Sequence, residues 1–353
     1  MQMFDFSPNY AKMLTPDIVA LLTQIHEYKG GQALLIEVNA DSLPPLLNLT
    51  RLQSTKSSNR IEGICTSDER LKKLAQDKTT PHTRSEQKIA GYREVLAAIH
   101  KDFDYIPPKS STLLQLHREL YQFSGSSFGG HYKTTDPMVA EADIPGNQRI
   151  CCRPLSAGET PGAMDCLCWA YEEAIEAGEM DPLILIPMFI LDFLCIYPFD
   201  EGNGQMSRLL TLLLLRRAGY IVGQYISIEK LIEDSKESYY EAIQLSSVGW
   251  HESANDYVPF VRYTLRIVAA AYQEFFARVR VLSARGVSKP DRVRNIIRNA
   301  LGKITKGEIM AQCPDISQIT VQRALIDLQK SGEIKKVSSG RYAAYIWNRQ
   351  NSL

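Results

Sequence analysis

The chain has 353 residues, 44% hydrophobic and 23% charged, which fits a globular protein of two or three domains and excludes a disordered or fibrous one. Net charge is zero, yet residues 290–353 hold 11 Lys/Arg against 5 Asp/Glu while residues 1–289 hold 29 against 35. That asymmetry points an anionic partner at the tail, or else gives the tail a charged solvated surface. The first ten residues contain Asp5 and lack the basic start and apolar run of a secretory signal, so a cytoplasmic location is expected. The most apolar run, residues 183–197, is interrupted by Pro187 and Asp192 and falls short of the roughly 18 residues that cross a bilayer, so it reads as a buried core helix and no membrane is implied. Seven cysteines without zinc-finger spacing, including the adjacent Cys151 and Cys152 and the Cys166 and Cys168 pair, read as buried free thiols. The six histidines form no ligand cluster that would hold a transition metal.

From Pro16 to about Phe123 apolar residues recur at helical spacing, as in Ile18, Leu21, Leu22 and Ile25, and again in Ile89, Tyr92, Val95 and Leu96. Gly30 with Gly31 is expected to break this helical layer, and Pro107 with Pro108 to break it again. Between Phe128 and Pro154 the helical period disappears; Gly129 and Gly130 open a turn, and short runs around Met138 and Ile150 suggest a loop or small hairpin. Helices resume near Thr160. Asp181 as N-cap and Pro182 as first residue start the apolar helix, and helical signals continue to about Ser283.

After the boundary signal at residues 286–290 the composition turns basic. Helices are expected from Arg292, from Lys306 with Thr305 as cap, and over residues 317–329 with Ser317 as cap and Val321, Leu325 and Leu328 buried. Two strands follow, over residues 333–337 and 341–347. Three helices and a hairpin resemble a winged helix-turn-helix, whose third helix would present Gln318, Thr320, Gln322 and Arg323 to duplex DNA, with Lys335, Lys336 and Arg341 on the wing. The same module serves protein contacts in other settings.

The most informative segment is Tyr197-Pro198-Phe199-Asp200-Glu201-Gly202-Asn203-Gly204-Gln205-Met206-Ser207-Arg208, followed by an apolar helix. A glycine-rich turn that opens a helix lets backbone approach a ligand and aims free N–H groups and the positive dipole end at an anion. Glu201 beside a phosphate is misplaced unless a cation lies between, as when a carboxylate holds Mg²⁺. Arg208, one turn on, can reach the same ligand. A plain helix start capped by Asn203 is the other reading.

In full, the segment resembles the signature of the Fic family, enzymes that usually transfer AMP from ATP to a protein hydroxyl. The pattern is His, any residue, Phe, any residue, Asp or Glu, Gly-Asn-Gly-Arg, two residues, Arg; Phe199, Glu201, Gly202, Asn203, Gly204 and Arg208 match it. The resemblance implies a mainly α, Fic-type helical core with a small β-hairpin, over residues 111–285. A helical region precedes it over residues 1–110 and a winged-helix domain follows over residues 286–353. It also implies Mg²⁺ on Glu201, phosphates on Gly202, Asn203 and Gly204 with Gln205 beside them, and the terminal phosphate on Arg208. Gly130-His131-Tyr132-Lys133 resembles the start of the family's substrate-aligning hairpin. Tyr239 and Tyr240 sit where its adenine pocket is commonly built, or are helix packing. Ser58-Asn59-Arg60-Ile61-Glu62-Gly63, in a helix of about residues 45–63, resembles the inhibitory helix of one class of the family. Gly63 suits a C-cap, so Glu62 lies where the dipole disfavours a negative charge unless a cation pairs with it; the resemblance supplies Arg208.

Two positions depart from the pattern. Tyr197 replaces the histidine that takes the proton from the attacking hydroxyl, and a phenol with a reference pKa of about 10 is a donor at neutral pH; a lost general base typically costs about 10² to 10⁴ in rate. Gln205 replaces an arginine, exchanging a charge-assisted phosphate contact for a neutral one at a cost of roughly 1–2 kcal/mol. Two functions stay open: a nucleotide-linked, DNA-binding regulator with weak or absent AMP transfer, which the loss of the base favours, and an adenylyltransferase autoinhibited by Glu62. ATP, a target protein and duplex DNA are the expected partners, with a homodimer left open.

Overall fold

The computed structural model describes residues 4–38, 43–76, 78–125, 128–136, 153–283, 288–300, 302–338 and 343–348. Among these the chain is mainly α-helical, with one three-stranded sheet. It divides into two compact units: Met1–Gly30 with Thr50–Ala271, and Gly31–Leu49 with Tyr272–Leu353.

The first unit contains α1 (Ser7–Met13), the first part of α2 (Pro16–Val38), the end of α3 (Pro44–Ile61), α4 (Asp68–Ala75), α5 (Arg84–Asp102) and α6 (Ser110–Leu120). It continues through α7 (Thr160–Ala177), α8 (Pro182–Ile196), α9 (Asn203–Arg217), α10 (Ile228–Asp234), α11 (Lys236–Ser247) and the start of α12 (Val258–Ser283). α8 is the axis of this unit. Asp181 caps it by accepting from Leu183 N, and apart from Pro182 and Leu194 its side chains are buried. A helix apolar on every face has no solvent side, so α7, α9 and α11 pack around it. Pro187 inside α8 removes one helical hydrogen bond, a cost that complete burial of the helix overrides.

Gly30 and Gly31 do not break α2, which runs unbroken through both. Each glycine costs roughly 0.5–1 kcal/mol against alanine. Burial of Ile18, Leu22 and Ile25 on the same helix outweighs that local preference. Pro107 and Pro108 do separate α5 from α6. The proposed hairpin around Met138 and Ile150 lies outside the described residues, as do Cys151, Cys152 and Arg341. Cys168, Cys195 and Cys313 are buried, but Cys65 is exposed, so burial does not account for every free thiol. Among the described residues no helix is long and apolar enough to cross a membrane.

The second unit includes α13 (Lys289–Asn299), α14 (Lys306–Gln312), α15 (Gln318–Lys330) and strands β1 (Ile304–Thr305), β2 (Ile334–Lys336) and β3 (Ala344–Trp347). α13 starts three residues earlier than Arg292 because Ser288 caps it and Pro290 occupies its first turn, where proline favours helix. Thr305 and Glu308 form a capping box on α14, and Ser317 caps α15. β1 is absent from the sequence expectation; its two residues, Ile304 and Thr305, pair with Tyr345 and Ala344 of β3 and give the antiparallel order β1-β3-β2. Val293, Ile297, Ile309, Val321, Leu325 and Ile334 form the core.

Candidate functional site

The loop between α8 and α9 is held by Lys133 and His117. Tyr197 ends α8 in the left-handed region at φ 52°, unusual for a residue with a side chain, and its N–H still donates to Phe193 O. Lys133, 3% exposed, donates from Nζ to the carbonyls of Ile196 and Tyr197 at 2.9 Å each. Its backbone N–H donates to Pro198 O. An ammonium on the last carbonyls of a helix is favoured by the dipole. Phe199 is fully buried and stacks on His117, ring centroids 3.8 Å apart and nearly parallel.

His117 lies outside the sequence motif, and no local signal marks it; the fold alone brings it to the loop. Its Nδ1 accepts from Gly130 N at 3.1 Å, which leaves Nε2 to donate to Glu201 O at 3.0 Å. Burial pushes its pKa down to about 4, so it is a neutral clamp rather than a base.

Gly202 is the N-cap of α9 at φ 86°, and a Cβ there would lie 2.8 Å from Tyr121 Oη. Asn203 is the first helical residue, not the cap. Its Oδ1 accepts from Phe199 N and its Nδ2 donates to Phe199 O, so the side chain closes the loop and only its backbone faces any ligand. A Cβ on Gly204 would collide with Glu62 Oε1 at 2.2 Å. The carboxylate of Glu62 therefore lies directly against the turn that the glycines open.

Arg208 explains that position. Its Nη2 donates to Glu62 Oε1 at 2.7 Å and to Ser58 O at 3.0 Å, and its Nε donates to Ser58 Oγ at 2.9 Å. The Arg208 and Glu62 side chains are 2% and 6% exposed. Burial by itself would lower the Arg208 pKa, but the Glu62 carboxylate, together with the neighbouring Tyr239, Tyr240 and Tyr92, holds it above the ordinary value. Gly63, at φ 72°, closes the turn after α3, which carries Ser58, and Glu62 stands one residue past the end of that helix. Gln205 is turned away from the anion turn as well: Nε2 donates to Asn59 Oδ1 at 3.0 Å, and Asn59 Nδ2 donates to Thr55 O. Gly204, Gln205 and Arg208 all meet the end of α3.

Glu201 has cationic partners. Arg84 Nη2 binds its Oε1 and Lys88 Nζ its Oε2, the latter at 2.7 Å. Partial burial would raise its pKa, but Lys88 and Arg84 prevail and keep the carboxylate below its usual range. The cation expected beside Glu201 is thus a pair of side chains. Both carboxylate oxygens are engaged, so this arrangement does not fit a divalent ion on Glu201. Among the described residues no cluster of three or more His, Cys, Asp or Glu forms a metal site elsewhere.

Tyr239 is 4% exposed and packs edge-on to Tyr240 and against Phe260 and Tyr263. The cavity beside Tyr239, Tyr263 and Arg208 is about 20 Å³. That holds a water and not a purine, so the aromatic cluster is closed. In the second unit Gln318, Gln322 and Arg323 on α15 and Lys335 and Lys336 on β2 are exposed, and Thr320 is partly so. Gln322 Oε1 accepts from Lys306 Nζ, and Thr320 is tied to the Ser317 cap.

Residues 107–215, from just before α6 to the end of α9, match the Fic/DOC family model. The chain is 28% identical over 177 residues to "Protein adenylyltransferase Fic" of Culex quinquefasciatus, covering 49% of this chain and 30% of that one. It is 25% identical over 126 residues to "Protein adenylyltransferase fic-1" of Caenorhabditis briggsae, covering 35% and 22%. The chain thus spans less than a third of the length of these curated relatives. In structure it is similar to a Fic family protein from Desulfovibrio desulfuricans G20, with TM-score 0.62 and 22% identity over 95% of this chain and 97% of that one. It is also similar to a Fic domain containing signaling protein from Bacteroides thetaiotaomicron, with TM-score 0.60 and 20% identity over 73% and 98%. These likenesses speak to the fold, and with the matched family model they lead to one statement: the chain carries a Fic/DOC family domain at residues 107–215.

Proposed function

We propose that this chain binds a nucleoside triphosphate, ATP by analogy with its relatives, at the Gly202–Gly204 turn and Arg208, and that Glu62 keeps that site closed. The observation that carries the reading is the contact of Arg208 with Ser58 and Glu62, set directly over Gly204. A guanidinium engaged in this way is withheld from a terminal phosphate. A carboxylate against Gly204 repels an incoming phosphate.

AMP transfer to a protein hydroxyl is weak or absent in this reading. Tyr197 is a poor proton acceptor at neutral pH, and His117, the histidine that touches the loop, is neutral with both ring nitrogens hydrogen-bonded. The family's Mg²⁺ is not drawn on Glu201, whose partners are Arg84 and Lys88. The output is assigned to the basic C-terminal unit, read as a winged helix that places α15 in a DNA groove; the exposed Gln318, Gln322, Arg323, Lys335 and Lys336 support it. A second reading, an adenylyltransferase waiting for release of Glu62, is favoured by the same Glu62 contact and separates from the first in one assay. With labelled ATP and candidate acceptors, Glu62→Gly alone is expected to transfer little. Tyr197→His with Glu62→Gly is expected to exceed it by about 10² or more. Efficient transfer by Glu62→Gly alone would make the chain an autoinhibited enzyme instead.

A further inference from the structure

Arg84 and Lys88 stand four residues apart on α5, hence on one face, and both reach Glu201. Arg84 is the first residue of α5, where the helix dipole opposes a positive charge. An anionic neighbour offsets that opposition, and Glu201 supplies only a single negative charge for the two cations. Two cations and one carboxylate leave one net positive charge beside Gly202, the same charge that a divalent ion on Glu201 would leave. Two further atoms face this turn. Tyr121 Oη and Arg208 Nη1 are buried and make no hydrogen bond among the described residues. A Cβ on Gly202 would lie 2.8 Å from the first and a Cβ on Gly204 3.4 Å from the second. Tyr121 also senses the charges of Glu201, Glu62 and Arg84, which places all three around the same turn. A net positive charge and two unused donors at a helix N-terminus are the complement of a polyphosphate.

We propose that Arg84 and Lys88 take the place of a divalent ion, so that this site binds a nucleoside polyphosphate without a bound metal. The inference rests on the nucleotide-site reading above. Glu201 is then a positioning residue: it holds the two cations beside the turn, and their remaining donor N–H groups meet phosphate oxygens. Lys88, 17% exposed, is the better anchored of the two; Arg84, 69% exposed, can swing onto a ligand.

The test is ATP binding by calorimetry to Glu62→Gly, in EDTA and in MgCl₂. The expected result is affinity in EDTA within about threefold of that in Mg²⁺. Arg84→Met with Lys88→Met, in the same background, should weaken binding in EDTA by about tenfold or more, the loss of charge-assisted contacts. The weakening should be smaller in Mg²⁺, because the freed Glu201 can now hold the ion. Glu62→Gly binding that vanishes in EDTA and returns with Mg²⁺ would overturn this inference and leave the nucleotide site standing. An absence of ATP binding under both conditions would overturn the site reading and this inference together. The comparison of EDTA with Mg²⁺ needs no change at Arg84 or Lys88, so it decides the matter even if the double variant fails to fold.

Discussion

At the scale of single residues, burial fixes the charge states of two groups around the loop after α8, His117 and Asp192. His117 is neutral because burial pushes its pKa down to about 4. Above pH 6.5 both folded and unfolded forms are neutral. As pH falls toward 4 the unfolded chain gains a proton that the folded one refuses, so stability is lost on the acid side. Asp192 in α8 has the opposite sign. Burial raises its pKa from 3.8 to about 7, against the pull of hydrogen bonds from Trp250 Nε1 and Tyr257 OH. Below 3.8 it adds no penalty; between 3.8 and about 7 the unfolded chain ionises while the folded one keeps its proton, so stability falls as pH rises. Melting temperatures across pH 4 to 8 are expected to show Asp192→Asn with a shallower decline than wild type on the neutral side. His117→Gln is expected to flatten the acid side. Parallel pH profiles for wild type and Asp192→Asn would show that Asp192 is ionised in the native state.

The same scale shows where the sequence was silent. Gly202, Gly204, Glu62 and Arg208 were legible because each obeys a local rule, a glycine for a close approach or a charge near a helix end, whereas Phe199 was legible only through the resemblance to the family signature. His117, Lys133, Tyr121, Arg84 and Lys88 obey no such rule. They lie 63 or more residues from the partners they meet at the turn, and tertiary packing alone brings them there. Gln205 reads as a weakened phosphate ligand on the motif, yet Asn59 captures it, since a buried amide takes a hydrogen-bond partner within reach.

Among the elements, the end of α3 is the unusual one. Thr50, Ser54, Thr55, Ser57, Ser58 and Asn59 are all buried, although helices bury apolar faces as a rule. Their partners are explicit: Thr50 donates to Tyr225 O, Ser54 to Glu229, Ser57 to Glu233, and Lys236 donates to Ile61 O. A polar seam of this kind is costly when half-satisfied and adds less net stability than an apolar one, so it can part without exposing a large apolar surface. Asn59→Ala leaves Gln205 Nε2 buried without its partner and should cost about 1–3 kcal/mol. Hydrogen exchange should speed up in residues 50–61 more than in α8. Equal protection of both segments in the variant would argue against α3 as the weaker element. The resemblance to the family placed this helix and Gly63 its end, but the residues that Thr50, Ser54, Ser57, Ser58 and Asn59 meet outside it lie more than 140 residues away, so the sequence could not show why that side is buried.

For the whole molecule, the composition already separated a basic tail from an acidic body, and the helix order of the tail was readable in part from the caps Thr305 and Ser317, which each accept from a backbone N–H, while Ser288, which caps α13, went unread. The two-residue β1 was not readable, because such a strand has no period and exists only by pairing with β3. If this unit meets DNA, phosphate contacts dominate, so affinity should fall steeply between 50 and 200 mM salt, and Lys335→Ala with Lys336→Ala should reduce the salt slope by about 2. Binding that ignores salt would remove DNA as the partner.

Closure of a nucleotide site by Glu62 through its hold on Arg208 is tested most directly by calorimetry with ATP, in Mg²⁺ so that the question of the metal does not intrude. Wild type should bind weakly, and Glu62→Gly should bind at least about tenfold more tightly, since one released guanidinium contact to phosphate is worth roughly 1.5–3 kcal/mol. Equal affinity in the two proteins, or none in either, would contradict it.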